Sequence, residues 1–309
     1  MSLQYDVAII GAGAMGSAAA YHLSATGKKI LVIDQFAPPH QMGSSHGQSR
    51  IIREAYFESP LYVPLVQQAY TLWYELEKNY GKQLLLKTGG LMLGNAGSKV
   101  FEGAERSAAA FNIWYEVLQG NEIKKKFPAF RPLPGTIALY EKNAGILFPE
   151  ECIKAHITLA QKSNTSFCFN EKVNAVNTEN DAVQIITDKG AYYAEKLIIT
   201  AGAWLNTLLP GLKLPLSVAR QVLCWFNYQS SQPENFMPGK FPVYIWEYGA
   251  GRMFYGFPSL ENKLKIAIHH EGKDTTADTV NRTVNSDEIE DIIAIAEKFL
   301  DAKLSFNHA

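Results

Sequence analysis

Short apolar runs and small-residue segments alternate over residues 5–34. Residues 5–10 form a β-branched run typical of a buried parallel strand, and residues 29–34 form a second run of this kind. Between them, a glycine-rich turn at 11–16 precedes a small-residue segment that predicts a helix ending near Gly27. The pattern predicts a β-α-β unit with parallel strands and a right-handed crossover.

The rest of the chain mixes helical and strand periodicities after a loop-like segment at 35–58. Apolar positions at helical spacing predict helices at 60–80, 98–111 and 121–127, from Pro149 onward, and at 287–300. Strand patterns predict a hairpin over 84–93 around Thr88-Gly89-Gly90, a β-meander at 172–176, 182–187 and 191–194, and strands at 196–200, 221–228, 243–247, 253–257 and 263–269.

Parallel α/β signals and antiparallel β signals interleave along the 309 residues, which is the length of roughly two domains at about 150 residues each. We therefore expect an α/β fold in which a Rossmann-like dinucleotide-binding domain exchanges chain with an α+β domain built on an antiparallel sheet. The first domain is predicted at 1–83 and 149–214, and the second at 84–148 and 215–309.

Composition excludes several classes of protein. With 47% hydrophobic and 19% charged residues the chain is globular rather than disordered. A net charge of −1 gives no electrostatic reason to expect a nucleic-acid or anionic-membrane partner, so we expect neither. The sequence has no apolar run long enough to span a membrane and no signal-peptide layout, which favours a cytoplasmic protein.

Cysteine and histidine spacing argues against structural metal sites and disulfides. The three cysteines are widely separated and odd in number, as expected in a reducing compartment: Cys152, Cys168 and Cys224. His40, His269 and His270 are too scattered to form a metal site. We therefore predict no metal.

A dinucleotide fingerprint occupies the first strand-to-helix turn. Gly11 permits a tight turn, Gly13 lets the backbone approach a pyrophosphate, and Gly16 allows close packing of helix on strand. The helix N-terminus offers free N–H groups to the phosphates. Asp34, at the end of the next strand, would accept hydrogen bonds from a ribose and repel a 2′-phosphate, which disfavours NADP.

The fingerprint alone does not decide between FAD and NAD. Two features favour FAD. The chain leaves the β-α-β pattern after Asp34 for a long loop that carries His and Arg, and a buried strand at 196–200 follows the meander directly and ends in a glycine turn. FAD also needs a longer groove than NAD, which an interleaved second domain could wall.

Several segments resemble one family of amine-oxidising flavoproteins. They are residues 38–53, Tyr62-Val-Pro-Leu65, Leu72-Trp-Tyr-Glu-Leu76, Thr200-Ala-Gly-Ala-Trp204, Arg220-Gln-Val222 and Tyr255-Gly-Phe-Pro-Ser259. From residue 5 to its end the chain resembles the monomeric sarcosine oxidase and N-methyltryptophan oxidase family, within the D-amino-acid-oxidase-like group. The resemblance implies a Rossmann-like FAD-binding domain, a β-rich substrate domain, FAD as cofactor, an amino-acid substrate, O2 as acceptor and a monomer.

The most diagnostic segment, Ser-His-Gly-x-x-Arg-x-x-Arg, carries two arginines. On a helical turn, His46, Arg50 and Arg53 would share one face, and a guanidinium suits a carboxylate because it donates two parallel hydrogen bonds. The resemblance implies that Arg53 binds the substrate carboxylate and that Arg50 and His46 lie near the flavin. A simpler alternative is a surface ion pair between these arginines and Glu54 or Glu58.

The resemblance also implies the residues that contact FAD and assist the reaction. Those expected at the cofactor are Gly11, Gly13, Ala14, Met15, Gly16, Asp34, His46, Arg50, Val173 and Gly202. Arg50 is also expected to support the charge of the flavin during catalysis. Trp204 and Trp246 are expected to pack rather than bind.

Residues 263–269 alternate, so Lys263, Lys265 and His269 share one face of a strand. That pattern is simply explained by a solvated face. The resemblance instead implies that Lys265 lies over the flavin ring and stabilises charge as oxygen is reduced, that His269 borders the amine, and that Tyr255 walls the substrate cavity.

The expected reaction is the FAD-dependent oxidation of a small secondary (N-methyl) amino acid, such as sarcosine, to an imine, with O2 giving H2O2. Sarcosine, N-methyltryptophan and pipecolate-like substrates all stay open. Two alternatives also stay open: a flavin-dependent amino-acid dehydrogenase that uses another acceptor, and a truncated, non-catalytic FAD-binding protein.

The alternative of a truncated, non-catalytic protein arises from a departure from the family pattern. Members carry a flavin-linking cysteine, a strand, a Gly-rich turn, a helix and a second carboxylate-binding lysine beyond the region that matches the end of this sequence. Because the sequence ends at Ala309, before that cysteine, we expect the FAD-binding domain to lack its C-terminal completion.

Overall fold

The computed structural model describes residues 4–179, 182–249, 251–269 and 272–309, so His270 lies outside the described residues. Its helices are α1 (Ala14–Ser24), α2 (Val63–Tyr80), α3 (Lys99–Ala110), α4 (Gly120–Lys126), α5 (Pro149–Ala160), α6 (Leu205–Leu208) and α7 (Ser286–Phe299). Its strands are β1 (Tyr5–Ile10), β2 (Ile30–Asp34), β3 (Arg50–Ile52), β4 (Leu85–Lys87), β5 (Gly90–Gly94), β6 (Glu116–Gln119), β7 (Ile137–Glu141), β8 (Gly145–Leu147), β9 (Thr165–Phe169), β10 (Val173–Glu179), β11 (Ala182–Thr187), β12 (Ala191–Ile199), β13 (Val218–Ala219), β14 (Cys224–Gln229), β15 (Val243–Gly249), β16 (Arg252–Gly256), β17 (Leu264–His269), β18 (Asp274–Thr275) and β19 (Lys303–His308).

A six-stranded sheet in the order β10-β11-β12-β1-β2-β9 confirms the predicted β-α-β unit. β12, β1, β2 and β9 run parallel, and β10 and β11 extend the sheet in antiparallel fashion. Alternate residues of the parallel strands point to opposite faces. Val7 and Ile9 pack under α1, whereas Ala8 and Ile10 pack with the meander on the other face.

The second large sheet has eight strands, in the order β19-β14-β17-β16-β15-β5-β7-β6. It is antiparallel except where β5 runs parallel to β15. One face packs against α7 through an aromatic core in which the rings of Trp246 and Phe299 lie 4.6 Å apart. The other face packs against α3 through Val100 and Ala104. The α/β fold class with an antiparallel second sheet is therefore confirmed.

The predicted hairpin over 84–93 is wrong. β4 pairs with β8 in a separate three-stranded sheet, β3-β8-β4, whereas β5 pairs with β7 and β15. The chain crosses between the two sheets at Thr88 and Gly89, whose N–H groups both donate to the carbonyl of Ala144. Gly89 has a φ of 73°, a left-handed conformation that glycine adopts readily, and here the chain passes from one sheet to the other instead of forming a hairpin.

Other differences are smaller. The predicted strands at 191–194 and 196–200 are one strand, β12, because its first half pairs with β11 while its second half pairs with β1. Residues 35–58, predicted as a loop, contain the short strand β3. Helices α3, α4 and α7 begin and end within one residue of their predicted bounds.

In the turn between β1 and α1, the backbone at Gly16 lies unusually close to the backbone at Gly11. A Cβ atom on Gly16 would lie 1.8 Å from the carbonyl oxygen of Gly11 and 2.6 Å from Oγ1 of Thr200. The same Thr200 hydroxyl donates to the Gly11 carbonyl at 2.8 Å, which joins this turn to the end of β12. The fingerprint glycines are therefore required by packing as well as by any ligand.

We predict that Gly16→Ala lowers the free energy of unfolding by roughly 1–3 kcal/mol, because neither backbone can move away without separating α1 from β1. Gly211→Ala is the matched control, since a Cβ there meets no atom of the described residues within 4 Å. Urea denaturation of both variants measures the effect. Equal stability of the two variants would contradict the close approach.

Candidate active site

A cavity of about 450 Å³ lies at the carboxyl ends of β1, β2 and β12. Seven of the residues predicted at the cofactor line it: Gly11, Gly13, Ala14, Met15, Asp34, Val173 and Gly202. Gly16, His46 and Arg50 are not among its lining residues; Gly16 lies behind the turn, packed on Gly11. This edge is where parallel sheets of this topology bind ligands.

The N-terminus of α1 faces this cavity. The first turn is free of acidic residues, and its N-cap, Gly13, offers no side-chain hydrogen bond to the helix. The backbone N–H of Ala14 donates to Oγ of Ser45, 3.2 Å away. An uncapped helix end beside a hydroxyl is suited to an anion such as a phosphate.

Ser44 and Ser45 also line the cavity, and our sequence reasoning missed both of them. The signal was available, because Ser45 begins the most diagnostic segment, Ser44 directly precedes it, and hydroxyl groups commonly bind phosphates. The spacing of the segment drew attention to its charged residues instead. The structure shows that this segment also reaches the helix end.

Asp34 is held in place by the backbone. Its Oδ2 accepts from the N–H of Ala12 at 2.7 Å, and its Oδ1 accepts from the N–H of Phe36 at 2.8 Å. Each carboxylate oxygen keeps a second lone pair for a ligand hydroxyl. His40 lies 3.7 Å from Oδ1; burial lowers the pKa of this imidazole, against the opposing effect of Asp34.

An aromatic wall closes one end of the cavity. The ring of Phe36 lies 4.9 Å from that of His40 and 5.8 Å from that of Trp204. Trp204 donates from Nε1 to Asp278 at 2.8 Å and lines the cavity, so the expectation that it packs rather than binds stays a prediction. Trp246, by contrast, is buried in the core of the eight-stranded sheet as predicted.

These observations fit the adenosine diphosphate half of a dinucleotide. The helix end suits the pyrophosphate, the carboxylate of Asp34 suits the ribose, and the aromatic wall suits a flat base. The residues present would therefore hold the FAD that the sequence implies.

Residues 44–58, which we call the cationic segment, run from the cavity into the space between the two large sheets. On a helical turn His46, Arg50 and Arg53 would share one face, but the structure has no helical turn at these residues. Residues 50–52 form β3 because they pair with β8, so the chain is extended and the three side chains do not share a helix face.

Arg50 is bound by backbone carbonyls of its own segment. Its guanidinium donates to the carbonyls of Ser44, His46 and Ser49 at 2.6–2.8 Å. His46 is likewise bound locally, through Nδ1 to the carbonyl of Gly43 at 2.7 Å. Arg50 therefore fixes the shape of the loop that brings Ser45 to α1.

Lys265, on β17, is 4% exposed, so the solvated face that the alternation suggested is wrong. Its ammonium donates to the carbonyls of Gly47 (2.6 Å) and Ser49 (2.9 Å) and to the Ser49 hydroxyl (3.1 Å). Burial and the charge of Arg50 lower its pKa to about 7, and the carboxylate of Glu150 acts in the opposite direction.

Arg53 is 5% exposed and lies between the rings of Tyr56 and Phe57, 4.3 and 4.6 Å from their centroids. Its Nη2 pairs with both carboxylate oxygens of Glu58 at 2.7–2.8 Å. This is the ion pair that the simpler alternative named, but the arginine is buried. Nη1 is also buried and has no acceptor among the described residues.

Tyr255 and His269 complete the predicted group. Their rings meet edge to face, with centroids 5.8 Å apart. Tyr255 is level with Ala267 across the β16–β17 ladder, so it shares the face of Lys265 and His269. Phe57, which stacks on Arg53, packs in the same cluster as Tyr255. Burial raises the pKa of Tyr255, so this residue stays a neutral phenol.

Two of the three cysteines, Cys152 and Cys224, are buried. Burial raises the pKa of Cys152 to about 12 and that of Cys224 to about 11, so both are unreactive thiols. Within the described ranges, no group of three or more potential ligands could hold a metal ion. No helix in this part of the chain is both long and apolar enough to cross a membrane.

We predict that Asp34→Ala lowers the flavin content of the purified protein, because it removes the ribose acceptor and frees the N–H of Ala12. Asp6→Ala is the control: Asp6 also accepts a backbone N–H, from Lys29 at 2.7 Å, but at the opposite end of β1. The ratio of visible to ultraviolet absorbance measures the bound flavin. Equal flavin loss in both variants would contradict the assignment.

Known relatives cover most of this chain. It is 40% identical over 297 residues to the monomeric sarcosine oxidase of Streptomyces avermitilis, covering 94% of this chain and 76% of that protein. The monomeric sarcosine oxidase of Bacillus sp. (strain B-0618) is also 40% identical, over 286 residues, or 91% of this chain and 73% of that protein. The N-methyl-L-tryptophan oxidase of Yersinia pestis (strain Pestoides F) is 35% identical over 271 residues, or 88% and 72%.

Solved structures share the fold at lower identity. NikD, described as an unusual amino acid oxidase essential for nikkomycin biosynthesis, superposes with a TM-score of 0.80 at 21% identity, covering 97% of this chain and 78% of its own. Glycine oxidase from Bacillus cereus superposes with a TM-score of 0.76 at 21% identity, covering 98% and 81%. These likenesses establish the fold.

The family model for FAD-dependent oxidoreductases, DAO, matches residues 6–308, nearly the whole chain. It agrees with the relatives and with the groove at the carboxyl ends of β1 and β2. The protein is therefore an enzyme of the DAO family of FAD-dependent oxidoreductases, and FAD is its cofactor.

Proposed function

We propose that this enzyme oxidises a small secondary amino acid, an N-methyl amino acid such as sarcosine, with O2 as the final acceptor. The methyl carbon loses a hydride and the nitrogen a proton, giving an imine that water hydrolyses to the primary amino acid and formaldehyde. O2 takes up the two electrons and two protons as H2O2. The names of the relatives, sarcosine oxidase and N-methyl-L-tryptophan oxidase, support this substrate class.

One observation carries the proposal: a buried guanidinium with a free donor. Arg53 is 5% exposed, and its Nη1 lacks an acceptor among the described residues. Leaving a buried charged donor unsatisfied is costly, so such groups mark the site of an anionic ligand. The carboxylate of an amino acid is an anion that fits a planar guanidinium.

The other groups surround that anchor. Tyr255 and His269 would border the substrate beside Arg53, and the Lys265 ammonium would supply positive charge as oxygen gains electrons. FAD, when bound, supplies the two-electron acceptor that takes the hydride and passes the electrons to oxygen. We propose that 1–83 and 149–214 form the FAD-binding domain, from which Arg53 reaches the substrate, and that 84–148 and 215–309 form the substrate domain.

Peroxide stoichiometry tests the acceptor. With sarcosine as substrate in air, we expect one H2O2 for each formaldehyde released. Turnover that needs an added artificial electron acceptor, with no peroxide in air, would make the enzyme a dehydrogenase. Loaded flavin that reacts with none of the N-methyl amino acids tested would contradict the proposal altogether.

We predict that Arg53→Met raises KM for a carboxylated substrate by roughly 10- to 100-fold, the loss expected for a hydrogen-bonded charge pair, with a smaller change in kcat. Arg131→Met is the control, because it removes an arginine that pairs with Asp301 on the surface. Steady-state kinetics separate KM from kcat. An unchanged KM in Arg53→Met would remove Arg53 from the substrate site.

We predict that Lys265→Met slows reoxidation of the reduced flavin by roughly 10²- to 10³-fold and changes flavin reduction far less. In the unmodified enzyme, reoxidation slows as pH rises through about 7, where Lys265 loses its proton; the variant loses this dependence. Stopped-flow absorbance measures both half-reactions. Equal slowing of flavin reduction and reoxidation would refute the role of Lys265. Lys303→Met, which changes a lysine on the surface, is the control.

A further inference from the structure

Two glutamates contact the cationic segment on either side of β3, the strand within it. β3 and β8 pair antiparallel, with Arg50 level with Leu147 and Ile52 level with Gly145. Continuing this register past one end of the ladder brings residue 47 level with Glu150. Past the other end, Glu54 and Ala55 lie close to Glu141. Each glutamate therefore meets the segment just where its β-pairing stops.

Glu150 holds the segment before Arg50. Its Oε1 accepts from the N–H of Gly47 at 2.7 Å and from the N–H of Gln48 at 2.9 Å. Both residues have positive φ, 108° and 63°, and for Gln48 this conformation is strained. Glu150 lies in the first turn of α5, where the helix dipole favours a carboxylate. The contact thus stabilises a turn that the backbone does not prefer.

That turn holds the ammonium of Lys265. The Gly47 carbonyl accepts from Nζ at 2.6 Å and the Ser49 carbonyl at 2.9 Å. Glu150 has no hydrogen bond to Lys265, but it fixes the N–H of the residue whose carbonyl binds Nζ. If the turn relaxed, the acceptors of the ammonium would move with it.

Glu141 holds the segment after Arg53. It is 1% exposed at the end of β7, and its two oxygens accept separately from the N–H groups of Glu54 and Ala55, both at 2.8 Å. Burial raises its pKa to about 7, while the two N–H groups and the charge of Arg53 act in the opposite direction. Arg53 directly precedes this pair of N–H groups.

We propose that Glu150 and Glu141 are positioning residues, each a carboxylate clamp on two consecutive backbone N–H groups, and that they serve different steps. Glu150 positions Lys265 for the reaction with oxygen, and Glu141 positions Arg53 for binding the substrate carboxylate. The assignment of steps rests on the proposed function. The β3–β8 ladder is only three residues long, so it does not fix both ends of the segment without the clamps.

The chain contains a matched control. Oε1 of Glu77 accepts from the N–H of Leu84 at 2.7 Å and from that of Leu85 at 3.0 Å, at the start of β4. β4 is the other strand that pairs with β8. Glu77 therefore makes the same kind of clamp on the same small sheet, next to residues that carry no catalytic cation.

Amide hydrogen exchange of the FAD-loaded enzyme tests the clamps without measuring turnover. We expect Glu150→Ala to speed exchange at residues 47–49 but not at Glu54 and Ala55, and Glu141→Ala to speed it at Glu54 and Ala55 but not at 47–49. Glu77→Ala should do so only at 84–85. Unchanged exchange at the N–H groups of either clamp would overturn the proposal.

Half-reaction kinetics test whether Glu150 and Glu141 act on different steps. We expect Glu150→Ala to slow flavin reoxidation by roughly 10- to 100-fold while KM for the amino acid stays near that of the unmodified enzyme. Glu141→Ala should raise KM by a similar factor and spare reoxidation. Glu77→Ala should change neither. General loosening of the segment would change the reoxidation rate and KM equally in the Glu150 and Glu141 variants, and that result would overturn the proposal. No change in either variant would overturn it too.

Glutamine variants add a readout that a merely structural role would not move. Glu150 uses one oxygen for both contacts, so Glu150→Gln keeps an acceptor and should restore most of the reoxidation rate. Its pH profile should shift downward, because Arg50 then acts on Lys265 without the opposing carboxylate. Glu141 uses both oxygens, so Glu141→Gln loses one contact and should not restore KM. The reverse pattern of rescue would overturn the proposal.

These outcomes are separable from failure of the proposed function. If Lys265→Met reoxidised at the normal rate, the role of Lys265 would be contradicted. The exchange data would still decide whether the two carboxylates hold the segment.

Discussion

Burial of positive charge is the constraint on which the rest of this site depends. Lys265 and Arg53 are both nearly excluded from solvent, and a buried cation is tolerated only where acceptors surround it. Lys265 finds three, all on residues 47–49. Arg53 pairs with Glu58 on one side, and on the other its Nη1 has no acceptor within the described part of the chain. The cationic segment therefore has to be shaped accurately, since it carries Arg53 and supplies the acceptors of both Arg53 and Lys265.

The same segment connects the cofactor groove to the side where we propose that the substrate binds. Ser45 contacts the N-terminus of α1, the turn at 47–49 binds Lys265 on the eight-stranded sheet, and Arg53 lies near the cluster that contains Tyr255. A displacement of either end of this segment would disturb the groups that this end contacts. Its short pairing with β8 and the carboxylates on either side of that strand explain how an extended chain with little secondary structure can keep a fixed course.

Sequence reasoning succeeded where the determinants are local. The fingerprint glycines and Asp34 lie within one β-α-β unit, and the helices with clear periodicity were placed accurately. It failed where partners are distant in sequence. The hairpin at 84–93 was excluded by pairing with β7, β8 and β15, and the helical turn at 46–53 was excluded by β8. Alternation along β17 could not show whether the face of Lys265 meets water or another loop, and Ser45 carried no charge to draw attention.

In the proposed reaction, a substrate carboxylate bound by Arg53 presents the N-methyl group for oxidation. The most direct test is anaerobic titration of the FAD-loaded enzyme with N-methylglycine and with dimethylamine, which is the same amine without its carboxylate, while the visible flavin absorbance is followed. The account predicts that N-methylglycine bleaches the flavin at far lower concentration than dimethylamine does, and that oxygen restores the colour. Equal bleaching by the two amines, or none by N-methylglycine, would contradict it.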